Sequence, residues 1–524
     1  MRKNIWVYVI FCLFMLPETN LANEFEFPRP LATASAEVSN GVSREIMRLL
    51  PKNRSISLSL EEAVFTALRN NHQLNVRRLN FNISETAVEK ERSRFDTRLQ
   101  GNLSGADETK KQILSNGKLG NTGDNQTEGG VGGTRLLQTG TEISIDLTGN
   151  RSRSTRPKSF FETRLGVKLQ VPLKRGVGSS VNTVQIKQAE FDVQISGFEL
   201  AGFVLSLAAE IEKKYWALFL AEKELEIMNE SYRLACIQRD ETMKKIALGS
   251  VPESELAAAD AEVALREEGV IDAQSSLEAA RISFLRVINP DSDKFWDFQV
   301  TLSDQPEINE SFLMPPEIHV ERAMENRPEI MQAELLSKKG ELELVQTRSG
   351  LLPRLDFFLS LGKSGFAKSF EATPNRFWER GYDIEAGFEY DLFSRRREAQ
   401  ANHRKAQFSL MQRRESLQNL RQLFQEDVLT AYLEVKRALQ QIQATAKTGE
   451  KQKEKVRVEE IRFQVGKTTS FQVAQALRDL AAARIAEIKA KVGYCNALTE
   501  LFRIDGTLCV SRGYEILGIE EEGK

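Results

Sequence analysis

The chain has few of the side chains on which most enzyme chemistry depends. Its 524 residues include only three histidines and four cysteines. The histidines, His72, His319 and His403, lie far apart in the sequence, and no zinc-protease, dithiol, phosphate-loop or nucleophile-elbow motif is present. The sequence therefore predicts a protein that is not an enzyme and that holds neither a metal nor a cofactor.

An excess of positive charge is also lacking. Lys and Arg number 72 against 74 Asp and Glu, which gives a formal net charge of −2. Binding to nucleic acid by counterion release needs a basic surplus, so we expect no nucleic-acid partner. Beyond residue 16 no run approaches the roughly 20 apolar residues that a membrane-spanning helix needs, which argues against a helical multi-span transporter.

The first residues have the pattern of a secretory signal. Arg2 and Lys3 precede the apolar run 5–16, and the small residue Ala22 follows a polar stretch. We expect 1–22 to be a signal peptide rather than a membrane anchor, because the run is too short to span. Residues 23–56, rich in Pro, Ser and Arg, predict a flexible lead-in.

The cysteines that remain after export do not indicate a disulfide framework. Cys236, Cys495 and Cys509 are odd in number, and two of them lie in helical patterns. Their role stays open.

The chain repeats itself. Residues 61–99 match 317–355 at a constant offset of 256, and residues 215–289 match 432–506 at an offset of 217. The first copy thus carries 39 extra residues within 100–214. We expect a first structural repeat at 57–290, a connection at 291–316, a second repeat at 317–506 and a C-terminal tail at 507–524.

Each copy begins with a helical pattern and continues with period-two alternation, which predicts strands within about 97–172 and about 353–392. The Gly-, Asn- and Thr-rich segment 115–133 favours a loop, and 107–130 and 150–160 are polar enough to be exterior loops, the former with room for a hairpin. Whether 127–138 adds a strand is left open. Several aromatics could form an interface girdle or belong to an ordinary sheet core: Phe357, Phe358, Phe366, Phe377, Trp378, Tyr382 and Phe388.

Very long helices follow the strands. No proline occurs from Val184 to Leu248, and a helix of this length would measure roughly 100 Å. Apolar residues step by three and four, the rhythm of a coiled-coil seam, and only Arg266 and Glu487 interrupt the seam of the later helices.

A short reversal joins the two long helices of each copy. In the first copy Gly249 suits a helix end, Pro252 suits a first turn, and Ser250 with Glu253 could form a capping box. In the second copy Gly466 takes the same place, and Thr469 with Gln472 restates the box. Each copy therefore predicts an antiparallel helical hairpin, with tips near 249–254 and 466–471.

This order of elements resembles the TolC-like outer-membrane efflux protein family. The likeness runs from about Leu58 to Gly506, and its motifs are individually loose but specific when duplicated in this order. The motifs are 58–63 (LSLEEA), 67–71 (ALRNN), the strand exits 171–176 (VPLKRG) and 390–397 (YDLFSRRR), and the tip 463–466 (FQVG).

The resemblance implies a mainly α fold with a β-barrel part. Three chains would pool their strands into one barrel in the lipid of the Gram-negative outer membrane, and their helices would form a tunnel across the periplasm. It implies an exit duct of a tripartite efflux pump or type I secretion system. The hairpin tips at Gly249, Ser250, Pro252, Gly466 and Thr469 would dock a periplasmic adaptor that joins an inner-membrane pump or ABC transporter.

The resemblance also implies a gate at the tips, with departures in this chain. The acidic lock position falls on Glu255, whereas Phe463 replaces a tyrosine and Thr468 replaces a basic residue. The neighbouring Lys467 could pair with Glu255, although both could equally be solvated tip charges. Two acidic ring positions fall on Gln472 and Gln475, which predicts an uncharged constriction.

A second interpretation is a non-conducting coiled-coil structural or adaptor protein of the cell envelope. Such an adaptor would be expected to carry one hairpin flanked by compact β domains. Two hairpins with duplicated strands favour the duct.

Overall fold

The computed structural model describes residues 55–113, 119–154, 160–290, 295–309, 313–367, 381–391 and 396–514. The expected signal peptide 1–22, nearly all of the lead-in 23–56 and the aromatics Phe377 and Trp378 lie outside these residues.

Helices and strands alternate in the order that the sequence predicts. The first half contains β1 (Ser55–Leu58), α1 (Leu60–Asn70), α2 (His72–Arg92), β2 (Arg98–Ile113), β3 (Leu119–Leu136), β4 (Glu142–Ser154), β5 (Phe160–Pro172), α3 (Ser179–Asn182), α4 (Val184–Ala247) and α5 (Ser254–Ile288). The second half contains β6 (Gln299–Leu302), α6 (Pro316–Asn326), α7 (Pro328–Gly350), β7 (Arg354–Ala367), β8 (Tyr382–Asp391), α8 (Arg397–Gln464), α9 (Ser470–Ile504) and α10 (Leu508–Ser511).

The segment before the strands is two helices rather than one. Ser59 caps α1 in a capping box with Glu62. Asn71 then separates α1 from α2, because its backbone is extended and its side chain accepts hydrogen bonds from the amides of Gln73 and Leu74. The chain turns at Asn71 without losing backbone hydrogen bonds.

The long helices are confirmed. The first, α4, has 64 residues and α8 has 68, so each is about 100 Å long. Each forms an antiparallel hairpin with the helix that follows, α4 with α5 and α8 with α9. Toward the sheet, α4 packs on α2 and α7, and α8 packs on α6 and α7. Toward the tips α4 packs on α5 and α9, so α4 joins the two halves along its whole length.

From the sequence we expect no apolar stretch of membrane-spanning length beyond residue 16, and α4 departs from this expectation. By length and composition α4 is apolar enough to cross a membrane. Its apolar side chains instead belong to the packed helical layer, where Leu207, Ala208 and Ile211 are buried against neighbouring helices.

The main core lies midway along the helices, at the level where the short strands β1 and β6 pair in parallel. Tyr215 is fully buried there, and its hydroxyl donates to the carbonyl of Leu58. The buried carboxylate of Glu212 accepts hydrogen bonds from Thr499 at 2.5 Å and from Tyr514 at 2.7 Å. The predicted tail therefore packs into this core at least as far as Tyr514.

Six strands form one antiparallel sheet in the order β2-β3-β4-β5-β7-β8. The loop expected at 115–133 is wrong where it is described, because β3 begins at Leu119. The exterior loops expected at 107–130 and 150–160 are likewise largely strand. The open question about 127–138 is resolved, since most of this segment is strand within the sheet. Glycine and polar composition hid β3, because Gly129, Gly130, Gly132 and Gly133 pair directly with residues of both neighbouring strands.

Candidate functional site

The six-stranded sheet has one apolar and one polar face. Its register places aliphatic and aromatic side chains of all six strands on the same side. These include Leu103, Val131, Ile145, Val167, Leu361 and Ile384. The opposite side carries polar and charged residues such as Asn102, Asp146, Arg164, Asp356 and Glu385. A sheet with one apolar and one polar face is typical of a transmembrane barrel, whose outer face meets lipid and whose inner face meets water.

The aromatic girdle is smaller than the sequence suggested. Phe357, Phe388 and Tyr382 lie on the apolar face, and the rings of Phe357 and Phe388 are 5.4 Å apart. Phe358 and Phe366 lie on the other face, because they occupy even positions of β7. Composition alone does not separate the two faces, whereas the register does.

The hairpin tips lie at the opposite ends of the long helices. Gly249 and Gly466 both have a left-handed backbone, with φ of +71° and +70°. In each tip the residue after the glycine donates its amide back into the last helical turn, Ser250 to Lys245 at 2.9 Å and Lys467 to Arg462 at 2.8 Å. Both glycines therefore end their helices as predicted.

Both predicted capping boxes are wrong. Helix α5 begins after Glu253, so Ser250 lies too early to cap it, and the backbone at Glu253 is already helical. Thr469 does occupy the N-cap position of α9, but its side chain makes no capping hydrogen bond. Gln472 instead accepts a hydrogen bond from Thr468.

The strongest contact between the two tips involves a residue that the sequence analysis missed. The Nζ atom of Lys245 lies 3.5 Å from the ring centroid of Phe463 and donates to the Phe463 carbonyl at 3.0 Å. The Phe463 side chain is 5% exposed. The lost tyrosine hydroxyl is thus replaced by a cation–π contact from the other hairpin. In the sequence this contact is indicated only by a lysine one turn before Gly249. Lysines are common near the C-terminal ends of helices, so the residue alone does not predict a contact with Phe463.

Glu255 also reaches the other hairpin, but with a different partner from the one expected. It accepts a hydrogen bond from the hydroxyl of Ser470. Lys467 is exposed and forms no ion pair with any residue that the structure describes, so the Glu255–Lys467 pair is wrong. Ser470 is 3% exposed, because it begins α9 directly against the first hairpin.

The two glutamines of the predicted constriction, Gln472 and Gln475, are both exposed on the first turns of α9. Thr468 is half-buried beside Gln472. Both side chains are uncharged amides, and the prediction of an uncharged constriction stays a prediction about the assembled channel.

Ion pairs join the two hairpins above the tips. Arg484 of α9 pairs with Glu230 of α4 at 2.7 Å, and Lys489 pairs with Glu224 at 2.7 Å. Arg266, which interrupts the heptad seam, pairs with Glu262 of its own helix at 2.8 Å and is largely covered. The Arg484–Glu230 and Lys489–Glu224 pairs thus join α9 to α4.

Nearer the core, the pKa of Glu500 is displaced. Burial alone would raise it, but hydrogen bonds from Arg503 and Lys213 lower the pKa to about 2. The Lys213 ammonium lies 2.6 Å from its carboxylate. Glu500 is therefore ionised throughout the physiological range and fixes α9 to α4.

The three cysteines described by the structure are unpaired thiols. Burial raises the pKa of Cys495 to about 12 and that of Cys509 to about 11. Since the thiolate is the reactive form, these two side chains are inert packing residues. Cys236 is half-buried on α4.

Comparisons with known proteins point in one direction. Residues 319–507 match the family model described as outer membrane efflux protein. No curated protein matches the chain in sequence.

Solved structures share the fold. The outer-membrane channel OprN is 16% identical, with 92% of this chain and 97% of that chain covered and a TM-score of 0.65. The CmeC outer membrane channel of Campylobacter jejuni is 15% identical, with 86% of each chain covered and a TM-score of 0.62. The MtrE outer membrane channel of Neisseria gonorrhoeae is 17% identical, with 86% and 89% covered and a TM-score of 0.59.

Proposed function

We propose that this chain, a member of the outer membrane efflux protein family, is the exit duct of a tripartite efflux pump or type I secretion system. It is an outer-membrane channel, with the amphipathic sheet in lipid and the long helices in the periplasm. Substrates pass through it passively, and no residue is assigned a catalytic role.

A single observation carries the homotrimer that this function requires. Equivalent residues of the two repeats are buried in one copy and exposed in the other. Leu335 on α7 is 7% exposed whereas its counterpart Leu79 on α2 is 60% exposed. Trp216 on α4 is 4% exposed whereas its counterpart Leu433 on α8 is 63% exposed.

Within one chain α4 packs against α7. The repeat therefore assigns α8 of one chain to α2 of the next, which would bury Leu433 and Leu79 as their counterparts are buried. A head-to-tail contact of this kind closes into a ring when the rotation allows it. Three copies would close this ring, the number that the family resemblance implies.

The tips would serve as gate and as docking surface. The Lys245–Phe463 and Glu255–Ser470 contacts hold the two hairpins of one chain together, and opening the duct would have to separate them. The turns at Gly249, Ser250 and Pro252, and at Gly466 and Thr469, project beyond the helices and would meet a periplasmic adaptor.

Extraction of the outer-membrane fraction in detergent tests this function. We expect a trimer by native mass, and a rod with a barrel at one end and a helical stem of about 100 Å in electron micrographs. A water-soluble monomer without a membrane-embedded part would refute the duct and return the non-conducting envelope protein as the better interpretation.

A further inference from the structure

The sheet of a single chain is open at both edges. Strands β2 and β8 each pair on one side only within the described residues. Both edges carry the apolar face, since Leu103 of β2 is 83% exposed and Phe388 of β8 is 68% exposed. In lipid an unpaired strand edge costs several kcal/mol per backbone group, so the edges must be covered by strands.

The sheet is also wider than the internal repeat requires. Strand β2 corresponds to β7 at the offset of 256, and β5 corresponds to β8 at an offset of 219, which aligns the strand exits at Pro172 and Asp391. Within the described residues β3 and β4 have no counterpart in the second copy, and they account for most of the extra residues of the first copy. They lie between β2 and β5 as full members of the sheet.

The repeat predicts how the edge of one chain meets the next. Within the chain β5 pairs with β7, and Val171 lies opposite Phe357. The counterpart of this pair is β8 with β2 of the next copy. Transferring the register by the two offsets places Tyr390 opposite Gly101, Phe388 opposite Leu103, and Asp391 opposite Gln100.

This register is chemically consistent along its length. It joins apolar face to apolar face, sets the Tyr390 ring over Gly101 and Phe388 beside Leu103, and brings the carboxylate of Asp391 to the amide of Gln100. A register shifted by one residue would place every apolar side chain of one strand beside the polar face of its neighbour.

The geometry of barrel closure agrees with the same register. Following paired residues across the sheet leads from Arg98 through Thr134, Ser144, Lys168 and Ser360 to Glu385. The transferred register places Glu385 opposite Ala106, which displaces the path eight residues along β2 for each chain of six strands. Since a displacement equal to the strand number corresponds to a strand tilt of about 36°, eight residues for six strands correspond to about 44°, which lies in the range of natural barrels.

We propose that three copies of this chain close a barrel of three times six, or 18, strands through a β8–β2 seam with Phe388 opposite Leu103. The inference rests on the proposed trimer and specifies its membrane interface. With strands about 4.8 Å apart and tilted by about 44°, such a barrel is about 38 Å across its backbone. Without β3 and β4 in the wall, a 12-stranded barrel at the same tilt would be about 25 Å across.

Disulfide cross-linking of the full chain in outer-membrane fractions tests the seam. In a Cys236→Ser background, Leu103→Cys with Phe388→Cys places two thiols directly opposite each other, within the Cα separation that a disulfide allows. With copper phenanthroline as oxidant we expect ladders up to a cross-linked trimer on denaturing gels. The matched control is Leu103→Cys with Ile384→Cys, whose positions are displaced by about 13 Å and should not cross-link.

The possible outcomes distinguish failure of the proposed seam from failure of the proposed function. A native trimer that cross-links at neither pair, or only at the control pair, overturns the seam and leaves the duct standing. A cross-link confined to single chains overturns the seam, because it would join β2 and β8 of the same copy. Failure of the unmodified chain to form a trimer refutes the proposed function itself.

Electron microscopy of the unmodified trimer gives an independent measure that needs no variant. A barrel about 38 Å in backbone diameter supports 18 strands. A barrel of about 25 Å, with the β3–β4 hairpin outside the wall, overturns the proposal.

Discussion

Replacing Lys245 by methionine should release the closed tip of the duct. Methionine keeps most of the aliphatic length but removes the ammonium group, which lies 3.5 Å from the Phe463 ring centroid and 3.0 Å from its carbonyl oxygen. A cation–π contact contributes about 0.5–2 kcal/mol, and a hydrogen bond from a charged donor about 1.5–3 kcal/mol. Because Lys245 is half-exposed, we expect a net contribution of about 1–2 kcal/mol per chain.

Three tips multiply this effect when they open together. A loss of about 1–2 kcal/mol in each of three chains amounts to about 3–6 kcal/mol, which is roughly a hundredfold or greater shift toward the open state. Single-channel recording in planar bilayers measures this directly as open probability. We expect Lys245→Met and Phe463→Leu to raise it, and the double variant to raise it little further, because the two side chains act through one contact.

Two controls isolate the contact. Lys244→Met removes the neighbouring charge on an exposed side chain and should leave the open probability unchanged. Lys245→Arg retains a cation that can stack on the ring and should restore much of the closed state. The reasoning is refuted if Lys245→Met and Lys244→Met behave alike.

Three further predictions concern the tip and the helical core. Gly466→Ala should destabilise the chain by about 1–2 kcal/mol, because φ at this residue is +70° and an alanine is strained there. The added Cβ would contact no other atom, so the cost is conformational alone. Denaturation in detergent measures the loss, and Gly466→Asn should cost less. Glu500 has a lowered pKa, so its ion pairs stabilise the fold above about pH 4.5 and are lost as the pH falls toward 2. The Glu500→Gln variant should be less stable by about 1–2 kcal/mol at neutral pH, and its free energy of unfolding should fall less steeply as the pH is lowered. An unchanged pH dependence below about pH 4.5 would contradict the assignment. Gln472→Asp with Gln475→Asp should introduce block of conductance by a trivalent cation such as hexamminecobalt, and equal block of the unmodified channel would exclude an uncharged constriction.

Much of the architecture follows from local patterns in the sequence. The absence of proline from Val184 to Leu248 and the apolar steps of three and four predict α4 almost to the residue, because helix formation depends on neighbours within one turn. Gly249 and Gly466 mark the helix ends for the same reason, since a left-handed residue is tolerated best by glycine. The domain boundaries inferred from the repeat stay predictions.

The errors concern contacts between segments that are distant in the chain. Lys467 looked like the partner of Glu255, yet Ser470 takes that place, because the rotation of α9 about its axis decides which side chain faces the first hairpin. Lys245 could not be singled out for the same reason, as its target Phe463 lies more than 200 residues away. Hydrogen bonds of this kind depend on tertiary placement to within an ångström.

Strand β3 shows which features follow from the sequence and which follow only from the tertiary structure. The sequence by itself determined the duplicated order of helix, strands and hairpin, and the presence of extra residues in the first copy, because repeats and periodicity are written along the chain. Only the tertiary structure decided that the glycine-rich part of those residues joins the sheet, since Gly129–Gly133 gain their extended form from pairing with β2 and β4 rather than from their own propensity.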